Sequence, residues 1–468
     1  MQPQPRSLRL VPMAVLIGTV WTCASPAAAA DDWGTYLKPF AADSLWNSRP
    51  VNPSFGEDAI PTSSYFPAVT ANAYSTGVYL ASPQDPPVTV SGAAGSKGLF
   101  NTDDENYHDV TIPHWPASAK PAPGSDGHAD IVDPANNIIH SFWQLKQQGT
   151  QWTAAQYSWA RLNGRGWPDP GHYYQGARAT GVPASGGLIR IHEAAQKPEF
   201  YPHALAMSLT FNGLSPNPTY VFPATSADTN AAKLNSGKFP EGALVMLPPS
   251  FDTGKLTDPE LRRIAETLKR YGAYIVDANT GTPFVIYVEI GAAYNLHPSG
   301  WNNTVASELQ VIRAGLRRAS ATSWIDGNGK TFTPTQNLNL LSMRGTWTQQ
   351  SGSTLGKFSS WDQAVVFPAA SSASEVVNYS NRGMNAVTWA KPVMGASYKI
   401  TARTTGGGKL RFSVYDQAAG KMMVDTGYLD NGQSKTFTWS AITPALAIYA
   451  RSGAGGASSV SGELIKAD

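Results

Sequence analysis

Apolar and polar residues alternate one for one through Tyr398, Ile400 and Ala402, and again through Leu410, Phe412 and Val414. A period of two puts one face of an extended chain in a core and the other in water, so these stretches must fold as strands. Gly406-Gly407-Gly408 and Asp430-Asn431-Gly432 punctuate the alternation as turns. Short strands between such turns predict an antiparallel β-sandwich over roughly the last 130 residues. Asp326-Gly327-Asn328-Gly329-Lys330 and Thr333-Pro334-Thr335 read as a turn and a linker, which sets the expected bounds of the sandwich at 333–468. Beyond that linker Ser, Thr and Gly dominate and no His occurs.

The segment 31–332 reads as a large, β-rich, catalytic-type domain, so the whole chain is expected to be mainly β with a few helices. Thr257-x-x-Glu260 has the form of a capping box, and Leu261, Ile264, Ala265 and Leu268 then recur on one helical face. Gly272 is placed to end that helix in a left-handed conformation. Ala273–Val276 and Phe284–Val288 are too continuously apolar for half-exposed strands and read as buried ones. A second helix is expected over Val305–Arg318.

Composition excludes several classes. With 35 Lys and Arg against 33 Asp and Glu, the chain lacks the basic excess of an electrostatic nucleic-acid binder. A 42% apolar and 10% aromatic content excludes disorder, and a single cysteine excludes a disulfide scaffold. Residues 1–30 read as an export signal: Arg6 and Arg9 form a basic start, Val11–Val20 is an apolar run, and Ala28-Ala29-Ala30 offers a cleavage site before Asp31. Removing it leaves equal numbers of basic and acidic side chains and no cysteine, since Cys23 lies inside it. No later run reaches the ~18 apolar residues of a membrane span. The expected product is a secreted monomer, extracellular or periplasmic, with no membrane contact after cleavage.

All eight histidines fall between His108 and His297, and seven of them between His108 and His203. Imidazole titrates near neutrality, so this clustering reads as a site, against the alternative of separate structural histidines on loops. After the turns Pro123-Gly124 and Asp126-Gly127, His128 and Asp130 alternate onto one face of a strand, where a carboxylate can orient an imidazole or raise its basicity. A solvated hairpin is the alternative. Asn136-Asn137 turns the chain back into Ile139–Gln144. Trp143, Trp152, Tyr157, Trp159 and Trp167 supply flat rings that can stack on sugars or fill a core. His172, Tyr173, Tyr174 and Arg178, then Arg190, His192 and Glu193, then His203 at a strand entrance, complete the candidates.

Several motifs fail or stay open. His192-Glu193-Ala194-Ala195-Gln196 begins like a zinc-protease helix but carries Gln where the second His must bind. No Gly-x-Ser-x-Gly elbow, phosphate loop or nucleotide fingerprint occurs. Asp103, Asp104, Glu105 and Asp109 could hold a structural calcium ion, or form a solvated loop. No other cofactor is expected.

Gly124-Ser125-Asp126-Gly127-His128, Pro202-His203-Ala204-Leu205, Pro240-Glu241-Gly242-Ala243 and Tyr271–Asp277 resemble a widespread group of uncharacterised secreted bacterial proteins. That resemblance spans roughly residues 40–290 and implies one domain of catalytic size. The C-terminal segment resembles the β-sandwich carbohydrate-binding modules of secreted polysaccharide-degrading enzymes. The residues then favour a polysaccharide-cleaving enzyme, with Asp126, His128, Asp130, Glu193 and His203 catalytic and Trp143, Trp159, Tyr173, Tyr174, Arg178 and Arg190 binding substrate. Asp277 and Glu289 are further carboxylate candidates. Hydrolysis by an Asp/Glu pair is the leading chemistry. A lyase using a His or Tyr base with an Arg neutraliser is one alternative, and a non-catalytic glycan-binding envelope protein another.

Overall fold

The computed structural model describes Met1 and residues 33–336, 338–379 and 387–467. The export signal expected over 1–30 therefore lies almost wholly outside the described residues. Among the described residues no helix is long and apolar enough to cross a membrane.

Two five-stranded antiparallel sheets occupy the region from Thr348 to Lys466. Ser397–Thr405 pairs with Ser458–Lys466 in one sheet, and Lys409–Asp416 pairs with Pro444–Arg451 in the other. Tyr398, Ile400 and Ala402 from the first meet Leu410, Phe412 and Val414 from the second in one buried cluster. The expected sandwich is present. Gly406 turns at φ +59°, where a Cβ would meet the Ala457 carbonyl at 2.1 Å, so glycine is required. The same cluster continues into Trp46, Trp167 and Tyr274 of the preceding region.

That preceding region is built around a seven-stranded mixed sheet. Its strands run in the order Ser54–Ala59, Arg317–Ser320, Leu244–Met246, Ala273–Asn279, Leu205–Thr210, Phe284–Tyr287, Ala68–Thr70. Of the helices α1 (Ile191–Gln196), α2 (Ala231–Leu234), α3 (Pro259–Arg270) and α4 (Asn303–Gly315), the last two cover one face. Leu261, Ile264, Val305 and Leu309 pack there with Met207, Ile275 and Ile286 of the sheet. The opposite face carries Ala206, Tyr274, Val276 and Tyr287.

The helix over 259–270 is where the sequence places it, but its cap differs. Asp258 caps α3, its carboxylate accepting from the Glu260 and Leu261 amides at 2.8 and 3.0 Å. Thr257 instead donates its N–H and hydroxyl to Glu308 of α4, while Glu260 accepts from Tyr201 Oη at 2.6 Å. The aspartate wins because it is one residue closer to the first free amides. Gly272 takes φ +75° as expected. The second helix starts and ends earlier than expected, because Arg317 already belongs to a strand.

Between Met207 and Ser208 the pairing with Ala273–Asn279 shifts by one: Met207 faces Ile275 and Ser208 faces Asp277, leaving Val276 as the extra residue of a β-bulge. Without it, strict alternation would turn Asp277 toward the helix-covered face. With it, Asp277 shares the open face with Ser208 and Tyr287.

A second, six-stranded sheet contains the His128 hairpin. Ala129–Asp133 pairs with Ile138–Trp143, Asp130 opposite Ser141. Both strands are buried, so the hairpin is not a solvated one.

Candidate functional site

Four acidic side chains and one guanidinium meet where the bulged strand ends. Arg178 comes from a tight turn closed by Gly181 N–H to its carbonyl at 2.8 Å. It is 2% exposed and donates Nη1 to Asp277 Oδ2 at 3.1 Å and to the Tyr74 carbonyl at 3.2 Å. Its guanidinium lies 4.1 Å from the centre of the Tyr287 ring. Nη2 is buried without a partner among the described residues.

Asp277 Oδ1 accepts from its neighbour, the Ala278 amide, at 3.1 Å, and Asp228 Oδ2 accepts from the same amide at 3.1 Å. The two carboxylate oxygens therefore lie no more than about 6 Å apart, as two acceptors of one donor must. Asp228 N–H donates to Glu241 Oε1 at 3.3 Å, and Glu241 is fully buried. Asp126 accepts weakly from Trp143 Nε1 at 3.4 Å.

Burial raises the pKa of every member of the inner trio. Asp277 is pushed up to about 7 by burial and by Asp228, against the pull of Arg178. Burial, with Asp126 adding to it, raises Asp228 against the Ala278 amide. Burial, Asp228 and Asp277 hold Glu241 far above the usual carboxylate range. An aspartate pushed up to about 7 keeps a share of its protons at neutral pH, the condition for a general acid. Asp228, Asn230, Ala278 and Asn279 line an adjoining cavity of 320 Å³, open to solvent.

The predicted residues divide between this cluster and others. Asp126, Trp143 and Arg178 belong to it. His128 is buried beside Arg178; burial and that guanidinium hold it well below its usual pKa, as a neutral imidazole whose Nδ1 has no partner among the described residues. Asp130 is fully buried and accepts from the Ser185 amide at 2.7 Å. Tyr174 stands on the side of Glu241, and Tyr173 packs edge-on against it at 5.1 Å while facing Arg344.

Glu193 and His203 form a separate pair. His203 Nε2 is 3.2 Å from Glu193 Oε2, and Glu193 also accepts from the Arg190 amide. Arg190 binds Glu289 at 2.7 Å. Burial alone would discharge His203, yet Glu193 raises it, and His203 in turn lowers Glu193 against its own burial. No hydrogen bond or ion pair among the described residues joins this group to Asp277. Trp159 lies in the core, donating to Asp103 Oδ2 at 2.5 Å.

The acidic run 103–109 is dispersed: Asp103 serves Trp159 and His172, Asp104 pairs with His108, and Glu105 meets Arg344. Among the described residues no three His, Cys, Asp or Glu side chains have the spacing of a metal site.

Sequence reasoning missed Asp228, Glu241 and Tyr287. Asp228 sits in a polar loop with no signal of its own. Glu241 had one: a lone carboxylate between Pro240 and Gly242 leading straight into the apolar run Ala243–Met246.

No protein-family model matches the chain, and no curated protein matches it either. Solved structures match short stretches. The accessory secretory protein 1, 2 and 3 structure from Streptococcus pneumoniae overlaps 29% of this chain and 99% of its own, at 9% identity and TM-score 0.21. TmCBM61 in complex with β-1,4-galactotriose overlaps 26% of this chain and 88% of its own, at 11% identity and TM-score 0.18. A CBM4 structure overlaps 26% and 94%, at 18% identity and TM-score 0.16. Likenesses this slight assign neither a fold nor a ligand.

Proposed function

We propose that the chain is a secreted glycoside hydrolase whose reaction centre is the Asp228–Asp277 pair. The observation that carries this is the single Ala278 amide shared by two carboxylates, with Asp277 pushed up to about 7 by burial and by Asp228. Glycosidic cleavage needs one carboxylic acid to protonate the leaving oxygen and one carboxylate to attack or to activate water. Asp277, kept protonated, gives its proton to the leaving-group oxygen. Asp228 attacks the anomeric carbon; water then releases the sugar while Asp277 takes the proton back. The limit of about 6 Å suits this two-step, configuration-retaining course better than the ~6.5–9.5 Å of direct water attack.

The lyase reading draws less support. Elimination requires a uronate carboxylate to enter the site, and there it would meet Asp126, Asp228 and Asp277 around one guanidinium. Tyr287 is a poor base as well, because burial raises its phenol above the usual range.

The test is incubation with neutral and acidic polysaccharides, following reducing ends and the ultraviolet absorbance of unsaturated uronides together. New reducing ends without that absorbance support hydrolysis. Unsaturated products would overturn it in favour of the lyase, and saturable binding without cleavage in favour of a glycan-binding protein. We assign the C-terminal sandwich to polymer binding on the same reading.

A further inference from the structure

On the face of the larger region bearing α4, three aromatic rings stand in solvent together: Tyr65 is 65% exposed, Trp301 61% and Phe66 45%. Phe66 meets Trp301 edge-on at 5.3 Å. His297 stacks on one face of the indole at 4.8 Å and 10°, so the exposed area belongs to the other face. The platform is braced. Trp301 Nε1 donates to Asn303 Oδ1 at 2.8 Å, and His297 Nδ1 accepts from the Asn302 amide at 3.0 Å. Asn302 in turn caps α4. A cavity of 500 Å³ opens beside the rings, bordered by Asn295, Thr70 and Ser64, with no Asp, Glu, Lys or Arg in its lining.

The geometry points to an accessory sugar-binding site, in which the free indole face stacks on one pyranose ring of a neutral glycan. Three rings exposed to this degree offer roughly 300–400 Å² of apolar surface, given ~150–250 Å² per ring. A stable protein interface needs about 800 Å² from each partner, so the patch is too small for a second copy or another protein. The cavity does fall in the ~300–1,000 Å³ range of small-ligand sites. Its uncharged lining selects against uronates and sulfated sugars, which would be desolvated there without a counter-charge. Bracing by His297 and the α4 cap lowers the ordering cost of stacking. The inference rests on the proposal that this chain handles glycans, but not on the chemistry at Asp277.

Gel retardation tests it without requiring any bond to break. The full chain carrying Asp277→Asn is run through native gels containing glucan, xylan or galactan, and through matching gels with polygalacturonate or heparin. The expected result is retardation by at least one neutral polymer, weakened tenfold or more by Trp301→Ala and severalfold by Tyr65→Ala, with thermal midpoints within ~2 °C of the parent because both rings are exposed. Retardation unchanged by Trp301→Ala, retardation by the acidic polymers alone, or none at all would overturn the site. So would a Trp301-dependent change of oligomeric mass in light scattering without any effect on retardation. Absence of hydrolysis by the unsubstituted chain, with Trp301-dependent retardation intact, would remove the hydrolase reading and leave this site standing.

Discussion

Arg178 stands 3.1 Å from Asp277, yet the aspartate beside it is raised rather than depressed. A buried guanidinium ordinarily pulls a carboxylate down. Here burial and the second carboxylate, Asp228, outweigh it. The site is therefore set first by burial and then by crowding of negative charge, so its titration should respond to Asp228.

Replacing Asp228 by Asn should lower the titration midpoint of Asp277, because one of the two raising influences is gone. Carbon-13 NMR of labelled aspartate reads this directly. A midpoint unmoved by the substitution would detach the two groups.

The rate should fall on the alkaline side of about pH 7 as Asp277 loses its proton. Asp277→Asn should lower kcat by ~100-fold or more, the usual share of a general acid. Stability runs with the same sign. The folded pKa lies above the unfolded value of about 3.9, so ionising Asp277 costs the native state more and more as pH rises from about 4 to 7. Thermal midpoints of Asp277→Asn relative to the parent should accordingly improve between pH 4 and pH 8. A constant difference would contradict the raised pKa.

Removing one partner of a buried ion pair typically costs about 3–5 kcal/mol. For Arg178→Met the cost should be smaller at pH 5, where Asp277 can stay neutral, and larger at pH 8. Urea midpoints at the two pH values decide it.

His203 is raised by Glu193, so its stabilising share is present below about pH 6.5 and lost as pH climbs through its folded value. His203→Ala should therefore lower the thermal midpoint more at pH 6 than at pH 9. Equal losses would mean that the ring serves packing alone.

The sandwich also braces the site. Trp389 packs edge-on against Phe222 at 5.4 Å and donates Nε1 to the Ala224 carbonyl at 2.8 Å, and that loop runs on to Asp228. Trp389→Ala should lower kcat on short oligosaccharides several-fold. Unchanged turnover would make the sandwich an independent appendage.

Much of the architecture was legible because periodicity is local. The alternation around Ile400 and Phe412 reports a strand wherever it occurs, and Leu261–Leu268 reports a helical face. The site was legible only in part. Arg178, Asp126 and Asp277 were visible as candidates, but their association depends on which strands are neighbours, and no local pattern states that Leu205–Thr210 lies beside Ala273–Asn279. The histidines divide among several places: His128 is buried beside Arg178, His140 is buried against Asp133 and Tyr157, and His203 pairs with Glu193. Buried carboxylates such as Glu241 leave a fainter trace, one acidic letter in an apolar setting.

Val276 has a consequence for chains that share this sheet. The same strand paired without its bulge would carry the acid at this position to the side under α3 and α4, among Met207, Ile275 and Ile286. The pairing at Val276 thus decides which side of the sheet this acid reaches, and with it whether the acid meets Arg178.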